Sequence, residues 1–380
     1  MSVADLLEGK HVCVCGGAGG VGKTTTSAAI ALGMAARGLK VAVVTIDPAR
    51  RLANALGLDE LENVPRRVEP ERFAGHLEMR GELWAMMLDP KRTFDELIER
   101  IADDPARAEE IKVNRIYAEL STAVSGSQEF TAVAKLFELD RDGDFDLLVL
   151  DTPPSRNALD FLDAPGRLTS FLEGRALKSF IRPTGLGMKV LSRGAAPFLS
   201  ALRRVTGVDL LSDLSTFFGL LGDMTEDFST RAAQVQKLLR APTTAFVLVT
   251  SAQPAAIDEA VWFRRSLNEG GLPFAGVIVN RVHHDLVADG DLDGVRAELA
   301  GTLGDGLAER VAANLADYHV LARRDALGIE RLERELGDRP RLLVPYLDDD
   351  VHDIEGLLRV HRFLFASESD REALIAQAVS

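Results

Sequence analysis

The chain has 380 residues, of which 46% are hydrophobic and 27% are charged, so it can bury a sizeable core and is neither disordered nor fibrous. Its 44 Lys and Arg residues face 58 Asp and Glu residues, and the net charge of −14 argues against nucleic acid as a general partner. With only two cysteines, no signal-peptide pattern and no uncharged apolar run of about 18 residues, the sequence predicts a cytoplasmic protein.

Short apolar runs alternate with longer helical patterns, which predicts an α/β fold with a mostly parallel sheet covered by helices. Strands buried on both faces are hydrophobic nearly throughout, and six runs have this pattern. They are His11–Cys15, Lys40–Ile46, Phe145–Leu150, Thr244–Thr250, Ala275–Val279 and Arg341–Val344. Between the second and third runs we expect an edge hairpin around His76–Leu88 and a helical region over Phe94–Glu138.

A glycine-rich loop follows the first predicted strand and precedes a helical run that begins near Ser27. Within it, Gly17, Gly22, Lys23 and Thr24 satisfy the pattern G-x-x-x-x-G-K-[ST]. Such glycines let successive backbone N–H groups converge on phosphate oxygens, and the helix N-terminus adds partial positive charge. Lys23 is expected to bridge the β- and γ-phosphates, and the Thr24 hydroxyl to ligate Mg²⁺. The candidate nucleotide-binding residues of the loop are Gly17, Ala18, Gly19, Gly20, Val21, Gly22, Lys23, Thr24 and Thr25.

Two acidic residues follow predicted strands, Asp47 after the second and Asp151 after the third. In an open parallel sheet, ligands bind beyond the carboxyl ends of the strands, so both carboxylates are expected near the phosphate loop. One carboxylate could hold Mg²⁺ and the other could orient the attacking water. The alternative is that each aspartate only caps the helix that follows it.

A second helical region, residues 165–239, interrupts the predicted core of residues 1–164 and 240–380. Its first part, Pro165 to Leu210, carries eight basic and two acidic residues, a balance of +6, which leaves −20 for the rest of the chain. Apolar residues such as Met188 and Phe198 recur between its glycines and prolines. The sequence therefore predicts a helical insertion subdomain with basic character.

Three stretches of this sequence resemble the P-loop, switch I and switch II of the ArsA-like ATPases. They are GGAGGVGKTTTSAAIALGMAARG, TIDPARRLANALG and LLVLDTPPSRNALDFLDAPGR, and further similarity extends over nearly the whole chain. The family includes the soluble subunit of arsenite pumps and the ATPase that targets tail-anchored membrane proteins. The resemblance implies a P-loop NTPase fold, ATP and Mg²⁺ as cofactors, ATP hydrolysis and a dimeric state.

The resemblance also implies roles for single residues. Asp47 matches the switch I carboxylate that polarises the hydrolytic water, and Asp151 the switch II residue beside Mg²⁺, so the implied metal site comprises Thr24, Asp47 and Asp151. Asn280 matches the asparagine that reads adenine, and the alternative is a loop residue that ends a strand. Pro345 and Tyr346 fall where the family's C-terminal loop borders the base.

The chain departs from the family pattern at several positions. Ala18 stands where this class usually has a signature lysine that reaches the partner's nucleotide, and Gln253 stands where Glu is frequent. Arg50 and Asn157 replace residues that are commonly histidine. A slow ATPase is one consistent interpretation, since losing a transition-state cation can cost about 10³ in rate. A heterodimer with a paralogous ATPase that retains the lysine is the other.

Cysteine usage excludes two traits of the family. Arsenite binding needs several thiolates, and a zinc-clasped dimer needs a Cys-x-x-Cys pair, whereas Cys13 and Cys15 lie inside the first predicted strand. We expect both to be small buried apolar residues. The seven histidines, including His283 and His284, show no metal-ligand spacing and are predicted to lie on the surface.

Two functions from different classes remain open. The first is a Mg²⁺-dependent dimeric ATPase whose nucleotide cycle gates a helical surface for a hydrophobic client or membrane-associated partner. The second is a weakly hydrolysing regulatory subunit of a heteromeric complex. The insertion could supply an apolar client groove, or it could be a packed helical lid with a solvated basic face.

Overall fold

The computed structural model describes residues 1–47, 49–115, 117, 127–152, 220, 224–287, 291–337, 339–347 and 351–379. The chain forms two compact units. Unit 1 comprises Met1–Met87, Asp142–Ala158 and Arg240–Ser380, and unit 2 comprises Leu88–Arg141 and Leu159–Leu239. The predicted boundaries of the core and the insertion stay predictions, because most of residues 165–239 lie outside the described residues. Asn157 lies outside them as well.

One eight-stranded sheet organises unit 1, with the strand order β3-β4-β2-β5-β1-β6-β7-β8. Its strands are β1 (Val12–Gly16), β2 (Lys40–Thr45), β3 (Arg66–Val68), β4 (Glu82–Met87), β5 (Leu147–Asp151), β6 (Thr244–Ser251), β7 (Phe274–Val282) and β8 (Arg341–Pro345). All neighbouring strands are parallel except β3 and β4, which are antiparallel. The α/β fold and its mostly parallel sheet are thus confirmed.

Helices follow the strands as the predicted alternation requires. They are α1 (Val3–Leu6), α2 (Lys23–Ala36), α3 (Arg51–Ala55), α4 (Pro90–Ile101), α5 (Pro105–Val113), α6 (Ser127–Asp142), α7 (Thr225–Arg240), α8 (Pro254–Glu269), α9 (Leu292–Leu303), α10 (Asp305–Leu336), α11 (Ile354–Phe365) and α12 (Glu368–Val379). None of the helices within the described ranges combines the length and the apolarity that a bilayer crossing requires.

The sheet is buried on both faces, which explains why its strands are apolar throughout. Every residue of β1, β5 and β6 is buried. Cys13 and Cys15 are fully buried in β1 with their sulfurs 3.9 Å apart, as predicted. The largest core cluster joins residues of β1 and β2 to apolar faces of α2 and α11.

The predicted edge hairpin is confirmed in its antiparallel pairing at the sheet edge, but its range of His76–Leu88 is wrong, because the first strand of the pair, β3, lies earlier, at Arg66–Val68. This segment contains the single strand β4, which pairs in parallel with β2 and antiparallel with the edge strand β3. The residues before β4 include the exposed Glu78 and Arg80, whose side chains form a local ion pair. At Gly81, a Cβ atom would lie 2.2 Å from the Leu39 carbonyl oxygen, so the chain enters β4 by a close backbone approach.

Unit 2 is described through α4, α5, α6 and α7. Helix α4 begins at Pro90, four residues before the predicted helical region, because the Asp89 side chain accepts a hydrogen bond from the Arg92 N–H and proline suits the first helical position. On α6, the buried Lys135 ammonium lies 3.1 Å from carboxylates of both Glu96 and Glu138. A charge as deeply buried as that of Lys135 needs such partners.

Candidate functional site

The predicted phosphate loop joins β1, in the interior of the sheet, to the N-terminus of α2. Gly22 is the N-cap of α2 with φ +92°, a conformation that favours glycine, and a Cβ atom there would lie 2.3 Å from Asn280 Nδ2. At Gly17, with φ +145°, a Cβ atom would lie 1.9 Å from the Val249 carbonyl oxygen. Among the described residues, no side chain caps α2, so within that part of the chain the N–H groups of its first turn are available to an anion.

Lys23 is buried within the curve of this loop, with 7% of its surface exposed. Its Nζ donates hydrogen bonds to the carbonyl oxygens of Gly17 (2.8 Å) and Ala18 (2.7 Å). Burial lowers the pKa of Lys23 from its ordinary value, whereas the negative charges of Asp151, Glu259 and Asp47 raise it in part. The Lys23 ammonium is therefore desolvated, and an anionic group bound in the loop would compensate for its lost hydration.

Asp151 ends β5 directly below the loop and is 2% exposed. Its Oδ2 accepts hydrogen bonds from the hydroxyls of Thr24 (2.7 Å) and Thr45 (2.8 Å), whereas its buried Oδ1 has no hydrogen-bond partner among the described residues. Burial raises the pKa of Asp151 to about 6, against the lowering effect of the two hydroxyls and Lys23. The parallel register sets Asp151 beside both Thr45 and Cys15.

Asp47 lies two residues beyond β2. Its Oδ1 accepts a hydrogen bond from the Ala49 N–H (2.9 Å), and its Oδ2 is 3.0 Å from Nη1 of Arg51. Arg50 holds φ +56°, an uncommon conformation for a residue other than glycine, at the N-cap of α3. The carboxylate is thus oriented by a local turn and an ion pair rather than by capping a helix.

Asn280 ties β7 to the phosphate loop. Its Nδ2 donates to the Val21 carbonyl oxygen (2.9 Å), and its Oδ1 accepts from the Arg281 N–H (3.0 Å). The prediction that Asn280 follows the end of its strand is wrong, because β7 continues past an irregularity to pair Val282 with Pro345 of β8. Arg281, with φ +59°, lies at that irregularity.

A cleft of about 680 Å³ opens above these groups. Nine of the predicted site residues line it: Gly20, Gly22, Lys23, Thr24, Thr25, Asp47, Asn280, Pro345 and Tyr346. Arg51, Thr152 and Arg281 line it as well. Gly17 and Asp151 do not line this cleft.

A second cleft, of about 300 Å³, lies on the other side of the loop. Ala18, Gly19 and Val21 line it together with Gln253, and Gly20, Arg281 and Tyr346 border both clefts. The predicted loop residues therefore divide between two neighbouring spaces.

Comparison with known proteins gives the family. The sequence model of the family described as Anion-transporting ATPase matches residues 10–334. The chain belongs to this ArsA ATPase family. Sequence relatives agree with the assignment at modest identity, as the resemblance in the loop and switch segments predicts.

The relatives differ in how much of each chain is matched. ATPase ARSA1 of Chlamydomonas reinhardtii is 27% identical over 342 residues, which cover 80% of this chain and 40% of that protein. ATPase GET3 of Malassezia globosa is 30% identical over 174 residues, 45% of this chain and 48% of that protein. ATPase get3 of Schizosaccharomyces pombe is 25% identical over 268 residues, 70% and 72% of the two chains. The chain thus spans about half or less of the first two of these relatives.

The donor set of this ArsA-family site suits magnesium. Mg²⁺ binds oxygen ligands, commonly one or two carboxylates together with substrate phosphates, so a cage made only of protein side chains is not required. The described ranges hold no group of three or more His, Cys, Asp and Glu residues arranged for a metal. The Thr24 hydroxyl and the unpartnered Asp151 Oδ1 are oxygen donors of the kind such a site uses.

Sequence reasoning missed several polar residues of the site. Thr45 binds Asp151, and the Thr152 hydroxyl donates to the Cys15 carbonyl oxygen (2.8 Å). The signal available for them was a threonine at or just beyond the carboxyl end of a buried strand.

The prediction that His283 and His284 lie on the surface is wrong, because both are partly buried and His283 Nδ1 is 2.7 Å from Asp325 Oδ2.

Asp151 makes the stability of this ArsA-family protein depend on pH. The folded chain retains the proton to a higher pH than the unfolded chain does, so stability falls as the pH rises from about 4 to 6. We expect Asp151→Asn, which cannot ionise, to raise the free energy of unfolding without nucleotide by about 2–3 kcal/mol at pH 7.5 and to change it little at pH 4. Denaturant unfolding in EDTA across this range measures the difference, and a difference independent of pH would contradict the prediction.

Proposed function

We propose that this protein binds ATP with Mg²⁺ in the larger cleft and hydrolyses it to ADP and phosphate. One observation carries the proposal: a buried lysine within a glycine loop, a Thr24–Asp151 pair below it and the Asp47 carboxylate at the rim all border or underlie the same cleft. Membership of an ATPase family supports this assignment.

Binding of the phosphates falls to the loop. The free N–H groups of the first turn of α2 donate to phosphate oxygens, and Lys23 Nζ exchanges its two carbonyl acceptors for the β- and γ-phosphates. Because the ammonium is already desolvated, its interaction with phosphate is stronger than it would be in water. Thr25 and Gly20 complete the wall around the phosphates.

The metal would be held by Thr24, Asp151 and Asp47. Bound Mg²⁺ supplies positive charge that neutralises the β- and γ-oxygens as the terminal phosphoryl group is transferred. Asp151 presents its unpartnered oxygen while Thr45 keeps the other oxygen in place. A pKa of about 6 leaves the Asp151 carboxylate ionised above neutral pH, and a bound cation would lower that pKa.

Asp47 orients the attacking water. Its carboxylate accepts a hydrogen bond from that water, so that the oxygen can attack the γ-phosphorus while the bond to the ADP oxygen breaks. The hydrogen bond from Ala49 and the ion pair with Arg51 hold the carboxylate at the cleft. Asn280, Pro345 and Tyr346 border the part of the cleft that we assign to adenine.

The assembly and partners follow from the family resemblance. We propose a cytoplasmic dimer whose nucleotide cycle exposes or covers a helical client surface in residues 165–239. Light scattering with and without ATP measures the oligomeric state, and photo-crosslinking from Met188 and Phe198 identifies a bound client or membrane-associated partner. Both positions lie outside the described residues.

Purified protein tests the proposal directly. ATP should bind with Mg²⁺, and phosphate release should require both Mg²⁺ and the Lys23 and Asp47 side chains. Absence of ATP binding at millimolar nucleotide would overturn the proposal, whereas binding without hydrolysis would favour a regulatory subunit over an independent ATPase.

Ala18 favours that second candidate, a regulatory subunit that hydrolyses little without a lysine-bearing paralogue. Its methyl side chain lines the smaller cleft, which opens beside the loop. For this function we expect slow hydrolysis by the isolated chain and an increase of about tenfold or more in kcat for Ala18→Lys. Ala255→Lys is the control, because Ala255 lines the same cleft from α8, so the same charge is added at a residue that is not part of the phosphate loop. Rapid hydrolysis by the unaltered chain, with no gain from Ala18→Lys, would exclude the regulatory function.

A further inference from the structure

Tyr346 stands between the two clefts and is half exposed, with 50% of its surface accessible. Its backbone N–H donates to the Val282 carbonyl oxygen (2.9 Å), which fixes the main chain but leaves the ring free to rotate. The ring of His283 stacks on it with centroids 4.9 Å apart and an interplanar angle of 16°. One face of Tyr346 is therefore covered by a second ring.

His283 is itself held from α10. Its Nδ1 lies 2.7 Å from Asp325 Oδ2, and its backbone N–H donates to the same oxygen (3.0 Å). Asp325 is 1% exposed, and its other oxygen accepts hydrogen bonds from Nε (3.1 Å) and Nη2 (2.8 Å) of Arg324. Tyr318 packs edge-on against the same imidazole, with centroids 5.3 Å apart. The imidazole thus has a fixed plane, set by a buried carboxylate.

We infer that His283 and Asp325 are positioning residues that hold the Tyr346 ring in place as a wall of the adenine subsite. The inference rests on the proposed ATP-binding function and adds to it two residues that touch neither phosphate nor metal. Tyr346 is an exposed side chain that would otherwise lose rotational freedom when a base binds. Stacking on a fixed imidazole removes that cost before the ligand arrives.

A second pair in the same loop supplies a matched control. Asp285 Oδ1 is 2.9 Å from Nδ1 of His319, so α10 contacts this loop through two His–Asp pairs. In the first pair the loop supplies the histidine, and in the second it supplies the aspartate. Among the described ring contacts, Tyr346 stacks on His283 and not on His319. Neutralising Asp285 in this pair therefore perturbs the loop and α10 without removing the support of Tyr346.

Competition against a fluorescent ATP analogue tests the inference. In the presence of Mg²⁺, the affinities of unlabelled ATP and of inorganic tripolyphosphate are measured for the unaltered chain, His283→Asn, His283→Phe, Asp325→Asn and Asp285→Asn. His283→Asn keeps a donor for Asp325 but removes the ring, whereas His283→Phe keeps a ring. We expect His283→Asn to weaken ATP binding about fivefold to twentyfold, the scale of losing one aromatic contact to a base, with tripolyphosphate affinity unchanged.

The other variants separate positioning from general damage. His283→Phe should recover most of the ATP affinity, Asp325→Asn should show a smaller loss than His283→Asn, and Asp285→Asn should resemble the unaltered chain. In turnover, KM should rise while kcat stays constant for the His283 variants. If Asp325→Asn fails to fold, the His283 pair of variants still decides the question.

Two results would overturn the inference. His283→Asn could bind ATP as the unaltered chain does, or its affinities for ATP and tripolyphosphate could fall together, which would indicate damage to the loop. Either result leaves the proposed ATPase standing. Failure of the unaltered chain to bind ATP would instead overturn the proposed function itself.

Discussion

Lys23→Ala is expected to lower Mg²⁺-dependent phosphate release by about 10³ or more and to weaken ATP binding strongly. The buried ammonium is the cation that the described structure places inside the phosphate loop, 2.7–2.8 Å from two loop carbonyls. Alanine removes that charge from the position where the β- and γ-phosphates would lie. Steady-state phosphate release and equilibrium binding of ATP measure the two effects.

Folding stability separates loss of function from loss of structure in this experiment. Burial already lowers the pKa of Lys23, so removing its charge also removes a desolvation cost, and the thermal midpoint should change by only a few degrees. Lys10→Ala is the matched control, because Lys10 Nζ also donates to a backbone carbonyl, that of Pro242 at 2.7 Å, on an exposed surface. Undiminished turnover by Lys23→Ala would exclude the phosphate loop as the catalytic site.

The sheet and the phosphate loop were predictable because their determinants are local. Apolar runs mark strands buried on both faces, and the glycine positions report backbone conformations and close approaches that the structure contains at Gly17 and Gly22. The meeting of Asp151 with the loop followed from the rule that parallel strands present their carboxyl ends together. The register between β2 and β5 then sets Asp151 beside Thr45. This pairing could not be predicted from the positions of the strands alone.

The missed parts of the site depend on contacts between distant segments. His283 and Asp325 are 42 positions apart, and no local pattern shows that a loop histidine meets a buried aspartate within a long helix. A weak signal existed: an aspartate in a helix interior has poor propensity, and it follows two arginines. The misplaced range of the edge hairpin has a similar cause, because an apolar run does not show which strand it will pair with, and the partner strand β3 lies before the predicted range.

Asp47→Asn is the second substitution with a large expected effect. We expect kcat to fall by about 10²–10³ while ATP affinity stays within a few-fold of the unaltered chain, because the amide is a poorer acceptor for the attacking water than the carboxylate. Asparagine has the same shape and can still accept the Ala49 hydrogen bond, so the turn after β2 should persist. Single-turnover phosphate release and ATP binding measure the split.

The ion pair with Arg51 gives this experiment its control. If the loss arose from breaking the 3.0 Å contact between Asp47 and Arg51, Arg51→Gln would reproduce it, since that variant breaks the pair and keeps the carboxylate. Arg51 is 68% exposed, and exposed ion pairs stabilise a side-chain conformation only weakly. The loss of kcat in Arg51→Gln should therefore be at least tenfold smaller than the loss in Asp47→Asn. Equal losses of kcat in the two variants would indicate that Asp47 acts only by orienting Arg51. A loss confined to Asp47→Asn would support the role of its carboxylate in orienting the attacking water.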